Sequence, residues 1–193
     1  MAYISVADLK AYRSIDETTD DALLAEFISV AEAWIDNEAG TTFEATSDTT
    51  RTFDAVKNSE GATLWLDYDL CAVTSVTNGD AVVVASDEYV TIPSNSTPWN
   101  RIKLLASADK AWTYTDDPED AISIVGRWGY STAAPMDIRH ATRRLAAYLY
   151  AQRDTMTDLD RPIAAGDGNI LLPAQVPDDI YAVLRKYKRQ EYA

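Results

Sequence analysis

Cysteine and histidine are almost missing from this 193-residue chain, each occurring once, as Cys71 and His140. A single cysteine excludes an internal disulfide and cannot complete a zinc cluster, and a single histidine cannot build a histidine-based metal site. His140 is also poorly placed as a catalytic base, because the neighbouring Arg139, Arg143 and Arg144 disfavour the imidazolium that a Ser-His-Asp or Cys-His mechanism must form. No window approaches the roughly 18 consecutive apolar residues of a membrane-spanning helix. The opening MAYISVADLK lacks the basic start and apolar run of a signal peptide, so the expectation is a protein made in the cytoplasm with no membrane attachment.

Positive charge is scarce as well. Lys and Arg number 17 against 31 Asp and Glu, a net charge of −14. Affinity for phosphate comes mainly from Lys and Arg, so this balance argues against a nucleic-acid binder and against anionic membrane surfaces. The segment Gly166-Asp167-Gly168-Asn169 lacks the strand-to-helix setting and the Gly-Lys-Ser/Thr ending of a phosphate loop and reads as a turn. Asp20-Asp21 and Asp178-Asp179 fall in the first turns of helical patterns, where acids suit the dipole, and Asp116-Asp117 precedes Pro118 in a turn. The run Asp116, Asp117, Glu119 and Asp120 does not follow the spacing of a calcium loop. The sequence therefore offers no catalytic set, no metal and no cofactor, and points away from an enzyme.

What the chain does contain is an uneven charge distribution and a strong helical stretch. Residues 1–136 hold 8 Lys/Arg against 23 Asp/Glu, which is −15, while residues 137–193 hold 9 against 8, which is +1. The stretch 135–154 begins with Pro135, whose missing N–H costs nothing in a first turn, and with Asp137 at the positive end of the dipole. Ile138, Ala141, Leu145, Tyr148 and Leu149 then follow the three-and-four spacing of one helix face. Arg139 and Arg143 stand four apart with Arg144 and His140 beside them, and no acid in the helix is spaced to pair with them. Like charges so placed repel by roughly 0.2–0.5 kcal/mol per pair, so neutralisation comes from outside the helix, either from the chain's own acids or from another subunit.

Before this stretch, Ser5 and Asp8 form a variant of the capping box for a helix reaching Arg13. Thr19 can cap a second helix with the stripe Leu23, Leu24, Phe27, Ile28, Ala31, Trp34 and Ile35, stopped by Gly40. From about 41 to 128 the period becomes alternating, with candidate strands over 51–56, 62–66, 72–77, 81–84, 88–92, 101–105 and 121–128. Asn78-Gly79 between two such runs predicts a type I′ hairpin turn. Trp65, Trp99, Trp112 and Trp128 fall in or beside this region and are expected as core or half-buried packing. Residues 155–177 lack periodicity apart from Ile170-Leu171-Leu172 and read as an extended arm or ordered loop. Pro177 then starts a last helix with the stripe Ile180, Val183, Leu184 and Tyr187 and a basic end of Arg185, Lys186, Lys188 and Arg189. An amphipathic helix on a long tether can leave its own domain and pack on a partner, and deleting residues 155–193 is expected to leave a folded remainder.

The fold class expected is α+β, a helical bundle frame of about four helices with an inserted antiparallel β-rich subdomain. Its parts are N-terminal bundle helices at 1–44, the β subdomain at 45–130, a central bundle helix at 131–154 and a C-terminal arm and helix at 155–193.

That order of elements resembles the head-to-tail connector proteins of long-tailed bacteriophages, the adaptors that form a ring beneath the portal. The resembling residues are Val6-Ala7-Asp8-Leu9-Lys10-Ala11-Tyr12, Asp20-Asp21-Ala22-Leu23-Leu24, Ala31-Glu32-Ala33-Trp34-Ile35, Gly126-Arg127-Trp128-Gly129-Tyr130 leading to Pro135-Met136-Asp137-Ile138, and Ala147 to Asp154. The β subdomain looks like that of only part of the family. The resemblance implies a structural role in the neck of the virion, after synthesis in the host cytoplasm, with about twelve copies side by side in a closed ring. It further implies contacts with the portal protein, with neighbouring copies and with the next neck, stopper or tail protein, and a channel through which DNA passes without specific binding. The surfaces fitted to an acidic partner are Arg139, Arg143, Arg144 and Arg153, together with Arg185, Lys186, Lys188 and Arg189 and the apolar anchors Tyr187 and Tyr192. The alternative is a soluble β-rich binding module, directed at carbohydrate through Trp99 or Trp112.

Overall fold

The computed structural model describes residues 2–153, 163–164, 170–171 and 176–188. The chain divides into two compact units, one formed by Met1–Gly40 with Pro135–Ala193 and the other by Thr41–Ala134.

The first unit is helical: α1 (Val6–Arg13), α2 (Asp21–Ala39), α3 (Met136–Arg153) and α4 (Asp178–Leu184). Ser5 starts α1 as its spacing to Asp8 predicts, with the Ser5 amide donating to Asp8 Oδ2 at 2.9 Å and the Asp8 amide donating to Ser5 Oγ at 3.1 Å. The start of α2 differs from the sequence reading. Its N-cap is Asp20 rather than Thr19, and Asp20 makes no side-chain cap, because its carboxylate accepts a 2.7 Å hydrogen bond from the Tyr150 hydroxyl on α3. Gly40 closes α2 in the left-handed region at φ 72°, its amide donating to Asp36 O, as a helix-ending glycine should.

Helix α3 is the one on which the others pack, with α1, α2 and α4 all in contact with it. Its Ile138, Ala141, Thr142, Leu145, Ala146, Ala147 and Tyr150 are buried, against Leu24, Ile28, Ala31, Ile35 and Ala39 as the buried residues of α2 and Leu9 as that of α1. Thr142 is tolerated there because its hydroxyl donates back to Ile138 O at 2.9 Å. In the arm, Ile163–Ala164 pairs antiparallel with Ile170–Leu171; the rest of 154–175 lies outside the described residues.

The second unit is a seven-stranded antiparallel sheet of β1 (Thr49–Phe53), β2 (Ser59–Glu60), β3 (Thr63–Thr77), β4 (Val83–Val84), β5 (Tyr89–Ile92), β6 (Trp99–Leu104) and β7 (Ile122–Trp128). The strand order is β1-β7-β3-β6-β5, with β2 and β4 also on β3. Two strands expected separately, at 62–66 and 72–77, are one 15-residue strand, β3. Its first half pairs with β6 and β2 and its second half with β7 and β4, so a single strand joins both halves of the sheet. Register shifts between Leu70 and Ala72 and between Val73 and Ser75 re-aim its side chains, which is why Leu70 and Cys71 are both buried although adjacent.

The sheet core holds Phe53, Leu64, Leu66, Leu70, Val76, Ile102, Leu104, Ile122 and Ile124 with Trp112 and Trp128. Each buried indole N–H is satisfied, Trp112 Nε1 donating to Ala62 O and Trp128 Nε1 to Thr49 O, both at 3.0 Å. The expected type I′ turn at Asn78-Gly79 is absent. Thr77 pairs with Val83, so the connection runs over residues 78–82, and Ala81 carries the positive φ of 64°. Asn78 is buried instead: its Nδ2 donates to Ala111 O at 2.9 Å, and its Oδ1 accepts from the Gly79 and Thr113 amides. Tying the turn to residues 111–113 outweighed the local preference for a two-residue loop.

The two ends of β7 differ. Beyond its C-terminal end the chain clasps its own entry, the Gly129 amide donating to Asp69 O and the Tyr130 amide to Thr42 O, both at 2.8 Å. Beside its N-terminal end lie the turns that follow β1 and β3.

Gly126 sits where β7 crosses β3, and a Cβ there would fall on the carbonyl oxygen of Ala72 and against Leu70 Cδ1. Gly126→Ala should destabilise the sheet unit by about 2 kcal/mol, the cost of forcing an extra carbon into packed backbone, measured as a fall in the thermal midpoint.

Candidate docking surface

The predicted basic positions among the described residues lie on α3 and in the turn after α4. Ridge spacing puts Arg139 and Arg143 one turn apart on α3, both half-buried, and Arg144 beside them is exposed. Arg139 Nε donates to the backbone oxygen of Tyr3 at 3.0 Å, which fixes the guanidinium against the N-terminal segment. Arg143 Nε is shielded from solvent and has no hydrogen-bond partner among the described residues. Arg144 Nε reaches Asp179 Oδ2 of α4 at 2.9 Å, with both side chains about half exposed.

Part of the compensation that the helix itself lacks comes from the chain's own acids. Asp179 is one and Asp8 of α1 is another. The Asp8 carboxyl is held below the ordinary aspartate range, chiefly by its hydrogen bonds from Ser5 and further by the fields of Arg143 and Arg139. His140 is exposed and stands edge-on to Tyr12, the ring centroids 6.5 Å apart.

Helix α4 uses its apolar stripe on its own unit. Ile180 and Leu184 are buried, and Tyr181 packs edge-on against Trp34 of α2 at 5.3 Å. Tyr187, expected as an anchor for another molecule, is half-buried and donates its hydroxyl to Asp137 Oδ1 at 2.6 Å, at the first turn of α3. Lys188 pairs with Glu38 at 3.0 Å. Arg185 and Lys186 face solvent. The side chain of Arg153, and Arg189 and Tyr192 altogether, lie outside the described residues. Of the expected basic positions that are described, those presented outward without an ion pair are thus Arg185 and Lys186, with the paired but exposed Arg144 and Lys188 beside them. The in-chain docking of α4 was not legible in the sequence, because an amphipathic stripe does not say whose surface it covers.

The burial of Val176, Ile180 and Leu184 also corrects the expectation that residues 155–193 are dispensable for folding, since their removal uncovers α2 and α3. In the sheet unit, Trp112 is buried in the core and is withdrawn as a carbohydrate contact. Trp99 is half-buried and lines a shallow groove of about 380 Å³ with Val73, Tyr89, Val90 and three hydroxyl side chains. Among the described residues no three of His, Cys, Asp and Glu gather as a metal site, and no helix is long and apolar enough to cross a membrane.

Comparison with known proteins places this geometry. A family model described as head completion protein matches residues 2–190. A chain in the neck of an empty gene transfer agent particle, computed with C6 symmetry, is similar with a TM-score of 0.62 at 17% identity, over 99% of this chain and 92% of that one. A chain in the neck of the native particle, computed with C12 symmetry, gives 0.57 at 17% identity over 97% and 90%. One in the virion of the native gene transfer agent gives 0.59 at 17% identity over 99% and 92%. At that identity these likenesses establish a shared fold. No curated protein sequence matches the chain.

Two outcomes follow from the packing of this surface. Leu184→Ala should lower stability by about 2–5 kcal/mol in chemical denaturation, as emptying a fully buried leucine site does, and truncation after Asp154 should cost more than that single change. Because the folded-state pKa of Asp8 is depressed, its stabilisation is present above the ordinary aspartate range and lost as pH falls through the folded pKa. The stability gap between the parent and Asp8→Asn should therefore be present at neutral pH and close on acidification below about pH 3.9, as read from melting midpoints.

Proposed function

This chain belongs to the head completion protein family, and on that premise we propose that it forms a ring of about twelve copies beneath the portal and joins head to tail. The observation that carries the reading is the length of the family match, residues 2–190, which takes in both units. As a head completion protein it is a structural component of the particle's neck. The finer reading adds the portal as one partner and a neighbouring copy as another. The C6 and C12 symmetries of the gene transfer agent necks support a multiple of that order for a chain of the same fold.

The proposed contact is cationic. Arg139, Arg143 and Arg144 of α3, with Arg185, Lys186 and Lys188 after α4, meet carboxylates of the portal or of the next copy; Tyr187 is assigned to the same contact, as are Arg153, Arg189 and Tyr192, whose side chains lie outside the described residues. Two features support this. The Arg144–Asp179 pair is about half exposed on both sides, and pairs so solvated contribute only about 0–1 kcal/mol, so Arg144 exchanges partners at little cost. Arg185 and Lys186 are exposed and in no ion pair among the described residues, so a partner's carboxylate can reach them and form charged hydrogen bonds. The role is structural rather than catalytic, and the net charge of −14 suits a channel wall that lets DNA slide past, since carboxylates repel phosphate.

Mixing the full chain with its portal should give a ring on the portal by cryo-electron microscopy and a matching mass by native mass spectrometry. Arg185→Glu with Lys186→Glu should weaken that complex at least about tenfold, close to 1.4 kcal/mol, while the melting midpoint stays unchanged. No complex with the parent chain overturns the reading. Undiminished binding by the double variant overturns the cationic contact.

A further inference from the structure

Exposed large apolar side chains are unevenly distributed in the sheet unit. Of Val56, Val82, Val83, Val90 and Tyr114, all but Val90 lie in the turns and the short strand β4 at the N-terminal end of β7. Val56 follows β1, whose last residue Phe53 pairs with Ile122 at the start of β7, and the Ala55 amide donates to Pro118 O. Val82 and Val83 follow β3, whose Thr77 pairs with Ser123, and Tyr114 bridges to Gly79 in the same turn. Val83 is 60% exposed and Tyr114 43%, large values for a valine and an aromatic with no described neighbour to cover them.

These turns are held rather than loose. Buried Asn78 ties residues 78–82 to 111–113, the Val82 amide donates to Asp80 Oδ1 at 3.0 Å, and Asp54 Oδ1 accepts from the Val56 and Lys57 amides at 2.7 Å. Gly79 allows the close approach, because a Cβ there would collide with Thr113 O and the Ala121 side chain. A surface ordered before binding loses little conformational freedom when a partner arrives.

The rim of this patch is acidic. Asp80, Asp116, Asp117 and Glu119 are exposed, and none is in an ion pair among the described residues. Lys57 beside Val56 is exposed, and Lys110, whose Nζ donates to Val83 O at 3.5 Å, is engaged by Glu88 at 2.5 Å. DNA and anionic lipid are repelled by such a rim, and a second copy of the same patch would set carboxylates against carboxylates.

We propose that this end of the sheet unit, which lies at the far end of β7 from the points where the chain enters and leaves the unit, docks a different protein through an apolar spot ringed by Lys and Arg. Val83 and Tyr114 fill the apolar centre, while Asp80, Asp116, Asp117 and Glu119 set the orientation and speed the encounter. The inference assumes that the chain is part of the particle's neck, and gives the sheet unit a contact separate from the one assigned to α3 and α4.

The test uses the full chain carrying a photo-reactive phenylalanine analogue, Val83→benzoylphenylalanine, produced where the particles assemble, with adducts in purified particles mapped by mass spectrometry. Lys103→benzoylphenylalanine, at an exposed position of β6, is the control. The expected result is an adduct to another virion polypeptide at an apolar residue flanked by Lys or Arg. Asp116→Lys with Asp117→Lys should lower its yield about tenfold, and the control position should not form it. Tyr114→benzoylphenylalanine should reach the same polypeptide. Adducts only to a second copy, a yield no higher than the control, or indifference to the charge reversal overturns the inference. A chain absent from the particles overturns the neck reading as well, whereas a chain present without the adduct overturns this inference alone.

Discussion

Helix α3 has to satisfy three packing partners at once, and the rest of the helical unit follows from that. It comes from a part of the chain nearly a hundred residues beyond α2, yet its buried face must fit α1, α2 and α4 together. Three layers of contact leave a narrow strip for charge, so Ile138, Ala141, Leu145 and Ala146 occupy the interior and the arginines are pushed to the margins. There Arg139 is steadied by the Tyr3 carbonyl and Arg144 by Asp179, which sets the direction in which each of the two presents its remaining donors. Two acids at the ends of the same bundle are committed to hydroxyls in a similar way, Asp20 to Tyr150 and Asp137 to Tyr187.

The electrostatics divide the labour in this protein. A body with 31 acids disfavours nucleic acid, while the small group of cations on α3 and after α4 is the surface proposed to meet an acidic partner. Exposed pairs add little stability each, and that weakness suits an adaptor, since in-chain partners can be released when better-desolvated ones arrive. The sheet unit carries a different chemistry at its turns, with valines and a tyrosine at the centre and unpaired carboxylates around them. On the proposed reading, these two chemically different surfaces would not compete for the same partner.

Much of the fold was legible because its signals are local. The Ser5–Asp8 box, the Gly40 stop and the Pro135 entry each set an element boundary to within a residue or so, and the α+β class followed from the change of hydrophobic period. What could not be read depended on distant partners. Thr19 gave way to Asp20 because Tyr150 approaches from α3, and the Asn78-Gly79 turn opened because Asn78 bonds to residues 111–113. The strands at 62–66 and 72–77 fused because bulges, invisible as a pattern, carry the chain through Asp67–Ala72. At the docking surface the residue types were evident as an unpaired basic cluster, but not their division between in-chain pairs and solvent. Asp8, which lies in the field of Arg139 and Arg143, gave no hint in the sequence beyond its capping role.

The account stands on the cations after α4 meeting another molecule in the assembled neck. Lysine-reactive labelling of the free chain and of purified particles, read by mass spectrometry, tests this most directly, because Lys186 and Lys103 are both exposed in the single chain. Lys186 should label readily in the free chain and be strongly protected in the particle, with Lys103 labelled in both. Equal labelling of Lys186 in the two states would contradict the account.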